Sequence, residues 1–141
     1  MKGFILAFLL LVSGCAILDP SVEVGRVLSK MNQAYQDKDL DMFMAQVGSD
    51  YLGNRDNLKI AVENDFAGFA EVEYRTSVFQ TQIDERTGDY KASVYFFRTL
   101  RSPRYGTDNQ SGETVLMFSK NKDGLKLIKM SDPALYGLII P

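Results

Sequence analysis

The sequence of 141 residues contains no histidine and a single cysteine, Cys15. Without histidine, neither imidazole acid–base catalysis nor imidazole ligation of a metal is available. One cysteine cannot form a disulfide within the chain or build a cysteine-cluster metal site. We expect no metal and no cofactor. A basic excess is also missing, because 16 Lys and Arg stand against 18 Asp and Glu. This balance gives no reason to expect a nucleic-acid partner.

The N-terminus has the three parts of a secretory signal peptide, predicted over residues 1–14. Lys2 supplies a basic start, residues 4–12 (FILAFLLLV) are uninterrupted apolar residues, and two small residues follow. As a helix this apolar run would cover roughly 14 Å, about half of a hydrocarbon core, so a transmembrane span is not expected. The alternative, a buried core helix, is disfavoured because no polar residue alternates with the apolar ones.

The residues that end this segment, LVSGC over positions 11–15, resemble the lipobox of bacterial lipoproteins. The resemblance implies cleavage before Cys15, a diacylglycerol on its sulfur and an acyl group, such as palmitate, on its new amine. Val12 stands where leucine is commoner. Ala16 follows the cysteine in place of the Asp that marks inner-membrane retention, which favours an outer-membrane location facing the periplasm. Residues 15–20 would then form a short tether before the folded domain.

Helical periodicity dominates the first half of the remaining chain. Apolar residues recur at helical spacing from Val24 to Tyr35, which predicts a first helix over about residues 21–37 with Asp19 as its N-cap. Asp39 and Asp56 are the expected N-caps of a short second helix and a third helix. Gly48 suits the end of the second helix.

The second half changes to the two-residue period of strands. Four strands are predicted, beginning near Val72 and then covering about residues 90–100, 113–120 and 125–130. A bulge is expected near Phe79, where the alternation changes parity. Residues 102–112 are polar and rich in turn formers, so we expect a loop there. The apolar tail, residues 134–141, is expected to pack back on the domain.

Three helices followed by a four-stranded meander predict an α+β fold. This order resembles the NTF2-like superfamily, which includes nuclear transport factor 2, ketosteroid isomerase and SnoaL-type cyclases. The segments 34–43 (AYQDKDLDMF) and 49–51 (SDY) carry the resemblance. It implies a cone over residues 21–141, in which three N-terminal helices pack on a curved antiparallel sheet around an apolar pocket.

The catalytic residues of ketosteroid isomerases do not carry over. Aligned on the Asp39–Asp41 corner, the family's helix-1 tyrosine falls on Met31 and its aspartate base falls near Arg55. A thioether cannot donate to an oxyanion, and a guanidinium cannot act as a base at neutral pH. We therefore assign no catalytic residues and favour a protein that is not an enzyme.

Four polar residues are candidates for lining the pocket: Tyr35, Asp50, Tyr51 and Asp132. Asp50 and Tyr51 could orient a ligand or transfer a proton. The structural alternative is a turn in which Asp50 caps backbone amides and Tyr51 packs its ring. Asp132 precedes a proline, which is typical of a turn.

Three arginines, Arg98, Arg101 and Arg104, cluster with tyrosines near the end of the second strand. They could contact an anion or a polysaccharide, or they could form a solvated strand end with their stems against apolar surface.

The second strand is apolar on both faces. Tyr95 and Phe97 lie opposite Ala92, Val94 and Phe96, where a half-exposed strand would be polar. Members of the resembled superfamily often dimerise through the outer sheet face, so Tyr95 and Phe97 are candidates for a homodimer interface. Alternatively, the C-terminal tail covers this face within one chain.

These observations predict a membrane-anchored envelope lipoprotein whose domain binds a small apolar ligand or a partner protein without catalysis. Two alternatives stay open: an enzyme of SnoaL or isomerase type with an unfamiliar residue set, and a purely structural envelope protein.

Overall fold

The computed structural model describes residues 19–140, so Cys15 and the predicted signal peptide lie outside the described residues. Within residues 19–140 three helices precede four strands, as the periodicity predicts. The elements are α1 (Pro20–Asp37), α2 (Leu40–Met44), α3 (Arg55–Gly68), β1 (Glu71–Ile83), β2 (Tyr90–Ser102), β3 (Gly106–Asn121) and β4 (Gly124–Met130). No helix within residues 19–140 is long and apolar enough to cross a membrane.

Side-chain caps begin all three helices. The Asp19 carboxylate accepts from the amide of Ser21, and the Asp39 carboxylate accepts from the amide of Met42, which confirms both expected caps. Each bond satisfies an amide that has no partner inside its helix. The predicted cap at Asp56 is wrong, because Asn54 caps α3 from two residues earlier.

The four strands form one antiparallel sheet in the order β1-β2-β3-β4. The register between β1 and β2 shifts between Val78 and Gln80, which confirms the expected bulge at Phe79. The predicted loop over residues 102–112 is wrong, because β3 begins at Gly106 and pairs along β2 from Ser102. Its first residues are exposed and polar, so their strand state comes from backbone pairing with β2, which no apolar pattern signals.

The helix α1 lies across the inner face of the sheet and buries its apolar stripe there. The hydrophobic core extends from Val24 to Tyr136 and includes residues of every helix and strand. The described residues therefore share one hydrophobic core, and we expect residues 19–141 to fold as a unit.

The C-terminal tail, residues 134–140, packs on the inner side of the sheet, as a layer between α3 and the strands. Leu135 and Tyr136 are fully buried. Gly137 lies against Leu58 and Ala61 of α3. The tail thus occupies the interior that the resemblance assigned to a pocket.

Candidate functional site

An aromatic cluster fills the centre of the cone. The ring of Tyr136 lies 5.0–5.3 Å, between centroids, from the rings of Tyr35, Phe43 and Tyr74. Tyr35 also makes edge contacts with Phe43, Phe66 and Tyr74. Rings at these separations and angles stabilise one another beyond the burial of their area. The cone is therefore closed by side chains at its centre, one of which comes from the tail.

Asp65 and Tyr35 bind the amide groups of the tail. Asp65 is fully buried on α3 and accepts hydrogen bonds from the Tyr35 hydroxyl (2.7 Å) and from the amides of Leu138 (2.9 Å) and Ile139 (2.8 Å). The Tyr35 hydroxyl accepts in turn from the Gly137 amide at 2.8 Å. A buried carboxylate is tolerated only when it is satisfied in this way.

Arg98 and Tyr74 bind the carbonyl groups of the same tail. Arg98 Nη1 donates to the carbonyl oxygens of Ala134 (2.8 Å) and Leu135 (3.1 Å), and the Tyr74 hydroxyl donates to that of Leu135 at 2.7 Å. The domain therefore holds both the donors and the acceptors of the tail backbone with buried side chains from α1, α3, β1 and β2.

Burial raises the pKa of Tyr35, Tyr74 and Tyr136 above the ordinary tyrosine value. For Tyr35, the neighbouring Tyr74 and Asp65 raise the pKa further. The desolvated phenolate is the disfavoured form in each case. These hydroxyls therefore stay protonated at neutral pH and act as hydrogen-bond donors.

Two cavities flank the tail. The larger one, which we call the tail cavity, has a volume of about 610 Å³. Apolar side chains of β2, the α3 end and the tail form most of its wall, and Arg98, Asp108 and Gln110 supply polar groups. The apolar members are Phe69, Leu100, Pro133, Ala134, Leu138, Ile139 and Ile140. A volume of this size is ordinary for a small-molecule site.

The second cavity, of about 450 Å³, lies on the other side of the tail, between the start of α3 and Met130. Tyr51 lines it, and partial burial raises the pKa of the Tyr51 hydroxyl.

The four predicted pocket residues lie at separate places in the structure. Tyr35 is buried in the cone centre behind the tail, and Asp50 is exposed and lines neither cavity beside the tail. Asp132 is exposed beside a groove of about 200 Å³ next to Phe79, away from both tail cavities. Only Tyr51 lines a cavity beside the tail, so the four do not form one site.

Sequence reasoning missed Asp65 and Tyr136. It named Arg98 as a candidate anion contact but grouped it with the exposed Arg101 and Arg104, whereas the structure buries it. The signal for Asp65 was its place on the apolar stripe of α3, at helical spacing from Leu58 and Ala61. The signal for Arg98 was its position in the two-residue alternation of β2, which places it on the buried face of that strand. A charged residue at an otherwise apolar position indicates a buried, hydrogen-bonded group.

The three predicted arginines do not converge. Arg98 faces the interior, whereas Arg101 is exposed and pairs with Glu71 at 2.6 Å. Arg104 lies over the ring of Tyr105, itself exposed.

The outer sheet face carries an aromatic patch of Phe79, Tyr95 and Phe97. Tyr95 is 47% exposed and Phe97 44% exposed, and Phe79 stacks on Tyr95 with ring centroids 4.2 Å apart. The alternative in which the tail covers this face is wrong, because the tail lies on the inner side. The patch is therefore uncovered within the described part of the chain.

Within residues 19–140, no group of three acidic side chains is placed to hold a metal ion. The lipidation candidate Cys15 lies outside those residues.

Comparison by sequence finds no matching family model and no matching curated protein. Solved structures do match. A conserved protein from Planctomyces limnophilus has a TM-score of 0.68 at 12% identity, over 79% of this chain and 92% of that one. A candidate scytalone dehydratase from Novosphingobium aromaticivorans has a TM-score of 0.67 at 14% identity, over 77% and 78% of the two chains.

An NTF2-like protein of unknown function from Shewanella oneidensis has a TM-score of 0.61 at 14% identity, over 79% of this chain and 97% of that one. At such low identity the likeness shows the fold alone. It agrees with the helix order and with the four-stranded antiparallel sheet described above. The chain therefore has the NTF2-like α+β fold.

Proposed function

We propose that this chain is a lipid-anchored envelope lipoprotein whose NTF2-like domain binds a small apolar ligand in the tail cavity. The observation that carries the binding function is the cavity itself, about 610 Å³ of mostly apolar wall with a few polar groups on one side. This combination is typical of ligand sites, in which apolar walls supply affinity and sparse polar groups supply orientation.

A binding function is favoured over catalysis because the tail uses the groups that could do acid–base chemistry. Asp65 accepts from Tyr35, Leu138 and Ile139, and the Tyr35 hydroxyl also accepts from Gly137. Neither residue lines the tail cavity. A general base must reach the proton that it removes, and this pair is screened by the tail.

The direction of α1 supports a defined orientation for the proposed lipoprotein. Its first residues lie beside Thr81 and Lys120, while its last turn is followed by Lys38, which donates to the carbonyl of Phe69 beside the tail cavity. Eighteen helical residues separate the two ends by about 27 Å. An anchor at Cys15 would attach to the first end, so the cavity would lie near the end of α1 that is farther from the anchor.

The anchor is tested by intact-mass spectrometry of the protein isolated from bacterial membranes. We expect the mature chain to begin at Cys15 and to carry the mass of a diacylglycerol and an acyl group, and we expect Cys15→Ala to lack both. An unmodified mass for the chain with its native cysteine would overturn the anchor.

The ligand site is tested with decanol, a neutral apolar probe, titrated into residues 19–141. We expect Ile139→Trp to weaken binding about tenfold, because the larger side chain would occupy part of the cavity volume. Ile60→Trp on α3 is the matched control, since Ile60 and Ile139 are 41% and 37% exposed but only Ile139 lines the cavity. Equal loss in both variants, or no binding to the unsubstituted domain, would contradict the proposal.

We also propose that two copies associate through the outer aromatic patch, since aromatic side chains at this exposure are enriched at interfaces. We expect residues 19–141 to sediment as a dimer and Tyr95→Glu to sediment as a monomer. Ile60→Glu, which adds the same charge away from the sheet, should stay dimeric. Sedimentation of the unsubstituted protein as a monomer would contradict the proposed dimer.

An enzyme is the second candidate function, and two observations favour it. Tyr35 and Asp65 form a buried hydrogen-bonded pair in the cone, and structures of similar fold include candidate dehydratases. Catalysis by this pair would require the tail to leave the cone, and amide hydrogen exchange of the tail would report such an opening.

A further inference from the structure

Arg98 is a buried cation that has no acidic partner among residues 19–140. It is 8% exposed, and the ion pairs of residues 19–140 join Arg75 to Glu73, Arg101 to Glu71 and Lys120 to Glu23. Arginine is rarely buried unless it is paired, because removing its charge from water is costly. The charge of Arg98 therefore calls for an explanation beyond the fold.

The partners of Arg98 in the structure are all neutral. Nε donates to Gln110 Oε1 at 2.7 Å, Nη1 donates to two tail carbonyls, and the guanidinium lies 4.8 Å from the centroid of the Phe96 ring. These contacts orient the guanidinium but do not neutralise its positive charge, which would attract an anion that entered the cavity.

This charge faces the tail cavity, whose remaining wall is mainly apolar. The nearest acidic group of the wall is Asp108, which is exposed and reaches Arg98 only through Gln110, whose amide donates to Asp108 Oδ2 at 2.8 Å. A ligand with one negative charge would neutralise Arg98. Asp108 repels any anion in the cavity, and a second negative charge on the ligand would add to this repulsion without a second positive charge in the cavity wall to offset it.

We propose that the tail cavity binds an amphiphile made of an apolar chain and a single carboxylate, with the carboxylate beside Arg98. The proposal rests on the proposed function and names its ligand class. The chain of the ligand lies along the apolar wall formed by Phe69, Leu100 and the tail. The carboxylate gains a charge-assisted interaction with a guanidinium that is already held in place, so little ordering cost opposes binding.

The test measures, by isothermal titration calorimetry, how residues 19–141 bind four probes that each contain a straight chain of about ten carbons. The probes are decanoate, decanol, decyl phosphate and decyltrimethylammonium. We expect decanoate to bind about tenfold more tightly than decanol, the gain of one charge-assisted contact. Decyl phosphate, which carries close to two charges at neutral pH, should bind more weakly than decanoate. Decyltrimethylammonium should bind most weakly of the four.

Arg98→Met and Arg101→Met form the matched pair of variants, since both residues lie on β2 and only Arg98 faces the cavity. We expect Arg98→Met to abolish the preference for decanoate over decanol and Arg101→Met to keep it. Thermal unfolding monitors whether Arg98→Met still folds, and Arg98→Lys, which keeps the charge, should keep a preference for decanoate. Asp108→Asn removes the opposing charge and should tighten decanoate binding.

The outcomes separate the two proposals. If decanoate and decanol bind equally, Arg98 serves only to hold the tail, and the anionic ligand is excluded while the apolar site survives. If decyl phosphate binds more tightly than decanoate, a phosphate head replaces the carboxylate and the proposal is wrong on ligand class. If neither decanol nor decanoate binds, the proposed function itself fails.

Discussion

Replacing Tyr136 with alanine is expected to lower the free energy of unfolding of residues 19–141 by about 3–5 kcal/mol. The Tyr136 ring is fully buried at the centre of the cone, against Tyr35, Phe43 and Tyr74. Alanine would leave a cavity whose wall includes Tyr35 and Tyr74, and the hydrogen bonds of these two hydroxyls oppose collapse of the wall into it. The measurement is urea denaturation followed by circular dichroism.

Tyr136→Phe is the matched control for this substitution. It keeps the ring and removes only the hydrogen bond that the Tyr136 hydroxyl donates to Asn32 at 2.6 Å. A single hydrogen bond of this kind contributes about 1 kcal/mol. If Tyr136→Ala and Tyr136→Phe cost the same, the ring would not belong to the core and the tail would not close the cone.

Amide hydrogen exchange reports whether the tail leaves the cone. We expect the amides of Gly137, Leu138 and Ile139 to exchange as slowly as those of the central strands, because each donates to a buried side chain. Fast exchange of these three amides in a folded protein would show an opening tail and would favour the enzyme over the binding protein.

The second large effect is expected for Asp65→Ala, at about 3 kcal/mol or more of lost stability. The substitution leaves three donors without an acceptor: the buried Tyr35 hydroxyl and the partly buried amides of Leu138 and Ile139. Each stranded donor costs the free energy of removing it from water. Because two of the three belong to the tail, the tail should loosen before the sheet does.

Two further variants isolate the role of the Asp65 carboxylate. Glu63→Ala removes an exposed carboxylate from the same helix and should change stability by less than about 0.5 kcal/mol. Asp65→Asn keeps one acceptor oxygen but turns an amide donor toward other donors, so we expect a loss between those of the two alanine variants. A loss for Asp65→Ala as small as that for Glu63→Ala would contradict the network.

Local signals in the sequence were enough for most of the elements. Asp19 and Asp39 cap their helices as expected, and the change of parity at Phe79 marks the bulge. Such features depend on residues a few positions apart, whose spacing is readable along the chain. The start of β3 was not predicted, because the exposed segment from Gly106 is held by backbone pairing with β2.

The pocket residues were the least predictable part of the site. Asp50 and Asp132 were selected as polar groups near expected turns, and the structure leaves both exposed. The groups that shape the site, Asp65 and Arg98, stand at apolar positions of α3 and β2. A periodicity marks such positions as buried but cannot say which backbone groups they will meet.

The sequence by itself determined the order of helices and strands, the absence of histidine chemistry and the resemblance of residues 11–15 to a lipobox, because each depends on composition or short spacing. Tertiary structure decided where the tail goes. An apolar tail must be buried somewhere, and two surfaces of the sheet were available to it. The tail lies on the inner surface, where the side chains of Asp65, Tyr35, Tyr74 and Arg98 satisfy its backbone groups.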